Sequence, residues 1–194
     1  NKLLFENDSV AGIYEANKQG AFVFWNHPHW TSNSQGRMDG IAKLDPVHKN
    51  LIKENLIHGI EVANELTFSE EAFEIALEND LTILGTSDIH GISDWLFEIP
   101  EGGHRPLTYI LSNDLKQNSI KKALFMGNTF VWFEDLIAGK EEILSSIIAS
   151  NFKVESKGYT GDTALLEISL TNLSSLPLKL KYIGDYTFHQ YSDF

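Results

Sequence analysis

The residues Leu81-Thr82-Ile83-Leu84-Gly85-Thr86-Ser87-Asp88-Ile89-His90-Gly91 hold the most chemically suggestive spacing in the chain. The apolar opening, rich in β-branched residues, predicts a buried parallel strand that breaks at Gly85. Beyond it stand a carboxylate, Asp88, and an imidazole, His90, two positions apart and pointing the same way if the backbone is extended. Such a pair at the end of a buried strand is a common way to hold a divalent cation. The same two residues also suit an ordinary turn Asp and a surface His. A second strand end carries similar chemistry, where Ala21-Phe22-Val23-Phe24-Trp25 runs into Asn26-His27-Pro28-His29-Trp30. Pro28 biases His27 toward extended backbone, which projects its ring from the strand end. Between the two lies a short strand, Gly59-Ile60-Glu61-Val62-Ala63-Asn64, with a carboxylate in its interior.

Other polar residues have more than one reading. Glu61 suits a ligand, a partner that orients a ligand, or a buried Glu bonded to backbone. His29 suits a ligand, a substrate contact or a loop residue beside Trp30. Arg105, in Gly102-Gly103-His104-Arg105, matches phosphate geometry and equally suits a solvent-facing loop. His48 and His58 read as surface or strand-edge residues, and His189 lies in a polar tail.

Composition narrows the chemistry. The 194 residues include no cysteine, which removes disulfides and thiolate metal sites. A metal must therefore be held by His, Asp and Glu, a donor set that suits zinc, manganese or iron. The formal net charge of −12 argues against a general nucleic-acid binder. It leaves room for a phosphorylated small molecule, provided a metal supplies local positive charge. No apolar run is long enough to span a bilayer. Absence of cysteine fits cytoplasm and periplasm alike, and a first residue Asn1 favours the periplasm if a signal peptide was removed. Oligomeric state is not encoded in any pattern found.

The elements that would position these residues alternate. Helices are predicted from Asp8 to about Asn17, with Gly20 as the stop, and near Pro46–Asn55. Thr67 and Glu70 form a capping-box signature for a helix burying Ala72, Phe73, Ala76 and Leu77. Leu107–Leu111 and Thr129–Phe133 read as strands, separated by a helix at about Asn118–Phe125. A further helix at about Lys140–Ala149 is expected to bury Ile143, Leu144, Ile147 and Ile148. About five strand–helix alternations predict an α/β fold with a parallel sheet. Beyond Ser150 the texture changes. Ala164, Leu166, Ile168 and Leu170 alternate with polar residues, as do Leu176, Leu178, Leu180 and Tyr182, which predicts an antiparallel hairpin with one buried face. The division is thus 1–150, an α/β domain, and 151–194, a β-hairpin extension. In parallel-strand folds sites lie at the carboxyl ends of strands, where His27, Asp88 and His90 fall.

Phe24-Trp25-Asn26-His27-Pro28, Gly59-Ile60-Glu61-Val62 and Gly85-Thr86-Ser87-Asp88-Ile89-His90-Gly91 together resemble the later motifs of the PHP domain, the polymerase and histidinol phosphatase superfamily of metal-dependent phosphoesterases. The resemblance covers about Asn7 to Phe133. It implies a partial, distorted (β/α)7, TIM-like barrel with two or three divalent ions, Mn, Zn or Fe, at its carboxyl face. It further implies that His27, Asp88 and His90 are metal ligands and the catalytic set; Arg105, His29 and Glu61 are read from their residue types and positions as substrate contacts. The family's opening His-x-His is absent from this chain, and Glu61 follows the His-Pro element, whereas the family's bridging Glu precedes it. About five strands cannot close a barrel that usually needs roughly 250 residues, so this chain is expected to be the later part of a longer protein. The implied activity is hydrolysis of a phosphomonoester or diester by a metal-activated water. Two alternatives stand beside it: an amidohydrolase-type metal enzyme, and a degenerate barrel serving as a non-catalytic binding or scaffold module.

Overall fold

The computed structural model describes residues 9–31, 37–175, 181 and 183–188. Two compact units divide the chain, Asn1–Ile143 and Leu144–Phe194.

The first unit is organised on β2 (Gly59–Asn64), whose first five residues are all buried. β1 (Phe24–Trp25) and β4 (Thr82–Thr86) both run parallel to it, so the predicted parallel pairing is present where the candidate site lies. β3 (Thr67–Phe68) returns antiparallel along the end of β2, after a two-residue turn in which Glu65 takes a φ of 48°. The core consists of Ile60, Val62 and Ala63 from β2, Ile83 from β4, and Ala72, Ile75 and Ala76 from α3 (Glu70–Glu78). Val131 and Phe133 close it from β6 (Thr129–Phe133).

Beyond β4 the expectation of a wholly parallel sheet fails. β5 (Leu107–Ile110), β6 and β7 (Leu136–Gly139) form a separate antiparallel sheet. For β6 and β7 the reason is local: two residues separate them, and a connection that short can only reverse the chain. Threonine side chains join β4 to this sheet. Thr108 Oγ1 donates to Gly85 O at 2.8 Å and accepts from Gly85 N–H at 2.9 Å. Thr129 Oγ1 donates to Ile83 O at 2.7 Å. Mixed sheets result, and the described residues close no barrel.

Gly85 does not break its strand. β4 continues through it to Thr86, and glycine is needed because a Cβ there would lie 2.7 Å from Val131 Cγ1. Gly85→Ala is therefore expected to cost about 1–3 kcal/mol through overpacking, a fall in Tm of several degrees for a chain of this size. Thermal unfolding checks this, and an unchanged Tm would show that Val131 moves aside freely.

The helices α1 (Ser9–Lys18), α2 (Pro46–Lys53) and α5 (Gln117–Phe125) fall where periodicity put them, and the chain turns after α1 at Gly20, φ 68°. Asp8, the expected cap of α1, lies outside the described residues. The cap of α3 is Ser69, whose Oγ accepts from Ala72 N–H at 3.1 Å. Thr67 is instead committed to β3. α3 buries Ala72, Ile75 and Ala76, while Leu77 is exposed. A short helix, α4 (Ser93–Leu96), follows the Asp88–Gly91 segment. α6 (Glu141–Asn151) carries no buried residue, contrary to the four apolar side chains expected there.

In the second unit β9 (Leu166–Asn172) is a strand as expected, but it pairs antiparallel with β8 (Phe152–Tyr159), which alternation did not mark. The apolar face is not buried: Val154, Ile168 and Leu170 are each more than half exposed. Two strands have nothing to cover such a face by themselves. The other predicted strand, at Leu176, Leu178, Leu180 and Tyr182, lies outside the described residues. Among the described residues no helix is long and apolar enough to cross a membrane.

Candidate metal centre

Glu61 is a carboxylate at 0% exposure inside a strand of apolar residues, and burying it requires full compensation. Three donors converge on it. The His27 backbone N–H donates to Oε2 at 2.6 Å, His27 Nδ1 lies 2.9 Å from the same oxygen, and Thr86 Oγ1 donates to Oε1 at 2.5 Å. Such a ring of donors suits the ionised, acceptor-only carboxylate.

The backbone explains how these groups meet. Glu61 pairs with Leu84, and Thr86 lies two residues farther on the same face of β4. The register shifts between Glu61 and Ala63, so that Asn64 pairs with Thr86. Residues three apart on a regular strand face opposite ways; this bulge returns Asn64 to the face of Glu61. Its amide lies 3.2 Å from His27 Nδ1. His27 is not extended as Pro28 suggested. It has a φ of 53°, which turns its N–H onto Glu61, and that charge-assisted bond offsets the strain.

With Nδ1–H directed at Glu61, the lone pair of His27 is on Nε2, the arrangement by which a carboxylate fixes the tautomer of a metal-binding imidazole. Nε2 faces Asp88 Oδ2 at 3.6 Å. That separation is too long for a hydrogen bond, and a lone pair set against a carboxylate is unfavourable alone. Zinc binds imidazole nitrogen and carboxylate oxygen at about 2.0–2.2 Å, so both atoms are close enough to share one cation. The donor pair fits a divalent ion.

His90 stands apart from that pair. Asp88 has a φ of 42°, so the two side chains do not project in parallel from extended backbone. The His90 ring folds back, with Nδ1 2.6 Å from Asp88 O and 4.0 Å from Asp88 Oδ1, and its side chain is 80% exposed. Among the described residues no group of three or more His, Asp or Glu is arranged to hold a metal ion. Arg105 is exposed in the loop before β5.

His29 is more than a loop residue. Thr67 Oγ1 donates to Asn64 O at 2.9 Å, which uses its one hydrogen, so His29 Nε2, 2.9 Å from Thr67 Oγ1, must donate to it. The lone pair is then on His29 Nδ1, which is buried without a partner among the described residues. Burial holds this imidazole below the usual histidine range. Asn64 and Thr86 were not singled out in the sequence as site residues, and Thr67 was read only as part of a helix cap. The available signals were an Asn closing the strand that holds Glu61, and a Thr two residues before Asp88.

His48 and His58 are structural. His48 stacks on Trp25 at 4.1 Å and completes a capping box with Asp45, and His58 Nδ1 accepts from Val23 N–H at 3.0 Å. Burial lowers the pKa of both from 6.5. The unfolded chain then binds more protons at mildly acid pH, so stability is present above 6.5 and is lost as pH falls through the lower folded values. Urea unfolding between pH 5 and 8 is expected to show that decline, with a smaller slope in His48→Gln. A flat profile would contradict it.

No protein-family model matches the sequence, and no curated protein does. A solved structure does match. It is a two-domain protein from Bacteroides vulgatus ATCC 8482 containing a predicted PHP-like metal-dependent phosphoesterase, 34% identical in sequence, with a TM-score of 0.78 over 89% of this chain. The chain resembles a PHP-like protein. It spans about half of that neighbour, 48% of its length. The likeness to a PHP-like fold thus holds over most of the chain, whose described strands form mixed sheets.

Proposed function

We propose that the protein takes part in divalent-metal-dependent hydrolysis of a phosphoester. The observation that carries this reading is His27 Nε2 set 3.6 Å from Asp88 Oδ2 while Nδ1 is committed to the buried Glu61. The PHP-like neighbour, described as a predicted metal-dependent phosphoesterase, supports the same class.

A divalent ion, when bound, supplies positive charge that eases deprotonation of a water and offsets charge on the phosphoryl oxygens. His27 presents an unprotonated nitrogen, and Glu61 and Thr86 hold its ring in place. Asp88 brings the negative charge that favours a cation there. His90, two residues from Asp88, would add a third donor once turned away from its own loop carbonyl. Water adds to phosphorus, the P–O ester bond breaks, and the leaving alcohol takes a proton. Mn, Zn and Fe all accept this donor set, and two or three ions per full site remain part of the proposal.

The absence of a third assembled ligand among the described residues favours one rival, a binding or scaffold module. Metal analysis of the natural full-length protein separates the two. Two or three ions per chain with turnover of an aryl phosphate supports the hydrolase, and no bound ion with no turnover supports the scaffold.

A further inference from the structure

Trp30 lies at the rim of the His27–Glu61–Asp88 group and has no task in the chemistry described so far. Its ring stands edge-on to the His27 ring with centroids 6.2 Å apart, yet the residue is 48% exposed. Its backbone is pinned at both ends: the N–H donates to His27 O at 3.1 Å, and the carbonyl accepts from Arg37 N–H at 2.7 Å. The residue thus keeps open apolar area beside convergent polar groups, a combination found in the lining of small-molecule sites.

The surroundings narrow what that area can meet. Among the described residues no Lys or Arg forms an ion pair with Glu61 or Asp88. Arg37, tied to Trp30 through its backbone, has its guanidinium committed to Asp45 Oδ2 at 2.7 Å and Lys43 O at 2.6 Å, which takes that cation from further anionic groups on a substrate. We infer that Trp30 is a specificity-determining residue that stacks on a flat, apolar or aromatic group attached to the scissile phosphoester. The inference rests on the phosphoesterase reading and adds the substrate class: aryl-type esters over small alkyl ones.

The test compares kcat/KM for phenyl phosphate and n-propyl phosphate in the natural full-length protein with its metal, in wild type, Trp30→Leu and Trp30→Phe. Each ester's intrinsic reactivity cancels when the phenyl-to-propyl ratio is compared between variants. The ratio is expected to fall about fivefold to tenfold in Trp30→Leu, the size of one lost aromatic stack, and to stay within about threefold of wild type in Trp30→Phe. An unchanged ratio in an active Trp30→Leu enzyme, including equal losses for both esters, would show that Trp30 acts only through His27 and overturn the inference alone. A wild-type protein that hydrolyses neither ester overturns the inference together with the reading beneath it.

Discussion

Asp88→Asn is expected to lower phosphoester turnover in the full-length protein by at least about a thousandfold, the scale seen when a member of a catalytic set is removed. The substitution takes the negative charge from the position facing His27 Nε2 while keeping the shape of the side chain. The backbone should tolerate it. Asp88 has a φ of 42°, and Asn enters the left-handed region more readily than most residues. Stability is therefore expected to change by no more than about 0.5 kcal/mol. Parallel measurement of kcat and Tm checks both halves. Full turnover in a well-folded Asp88→Asn protein would remove Asp88 from the chemistry.

Glu61→Gln carries the second largest expected effect and probes a different link, the orientation of His27. The amide can keep its oxygen toward the His27 N–H and Nδ1–H, and turn its NH2 toward Thr86 Oγ1, which can accept instead of donate. The geometry is thus largely retained while the charge that polarises the imidazole is lost. Partners of this kind are typically worth 10–100-fold in metal affinity or activity, so the dissociation constant for Mn2+ is expected to rise by about that factor. Glu61→Ala should do the same and also destabilise the fold by about 1–3 kcal/mol, since it leaves three donors of a buried site unpaired. Calorimetric titration with Mn2+ reads the first effect and urea unfolding the second. An unchanged metal affinity in Glu61→Gln would show that Glu61 is only a structural buried acid.

Much of this centre was legible in the sequence because its residues lie at strand ends. An apolar run followed by His27 or Asp88 can be recognised from residue type alone, and the parallel pairing of β1, β2 and β4 brings those ends together. Less legible was what depends on register. The bulge after Glu61 decides that Asn64 shares its face, and no residue in Gly59–Asn64 announces a bulge. The left-handed φ of His27 contradicts the local preference set by Pro28, because a buried carboxylate 34 positions away outweighs it. The alternation of strand and helix was correctly seen, but alternation does not fix direction. The two-residue link from Phe133 to Leu136 does so for β6 and β7, which it makes antiparallel. Thr67 shows the same limit: its spacing to Glu70 matches a capping box, yet β3 takes Thr67 and leaves the cap to Ser69. For Arg105, residue type suited both a phosphate contact and a solvent-facing loop, and the fold places it exposed in the loop before β5.

The central claim is that His27 and Asp88 grip one divalent cation between them. Anomalous diffraction from crystals grown with Mn2+ or Zn2+ tests it most directly. An anomalous peak is expected about 2.0–2.2 Å from both His27 Nε2 and an Asp88 carboxylate oxygen, with Nδ1 of the same ring still on Glu61. Metal bound elsewhere, with these two side chains facing only water, would contradict it.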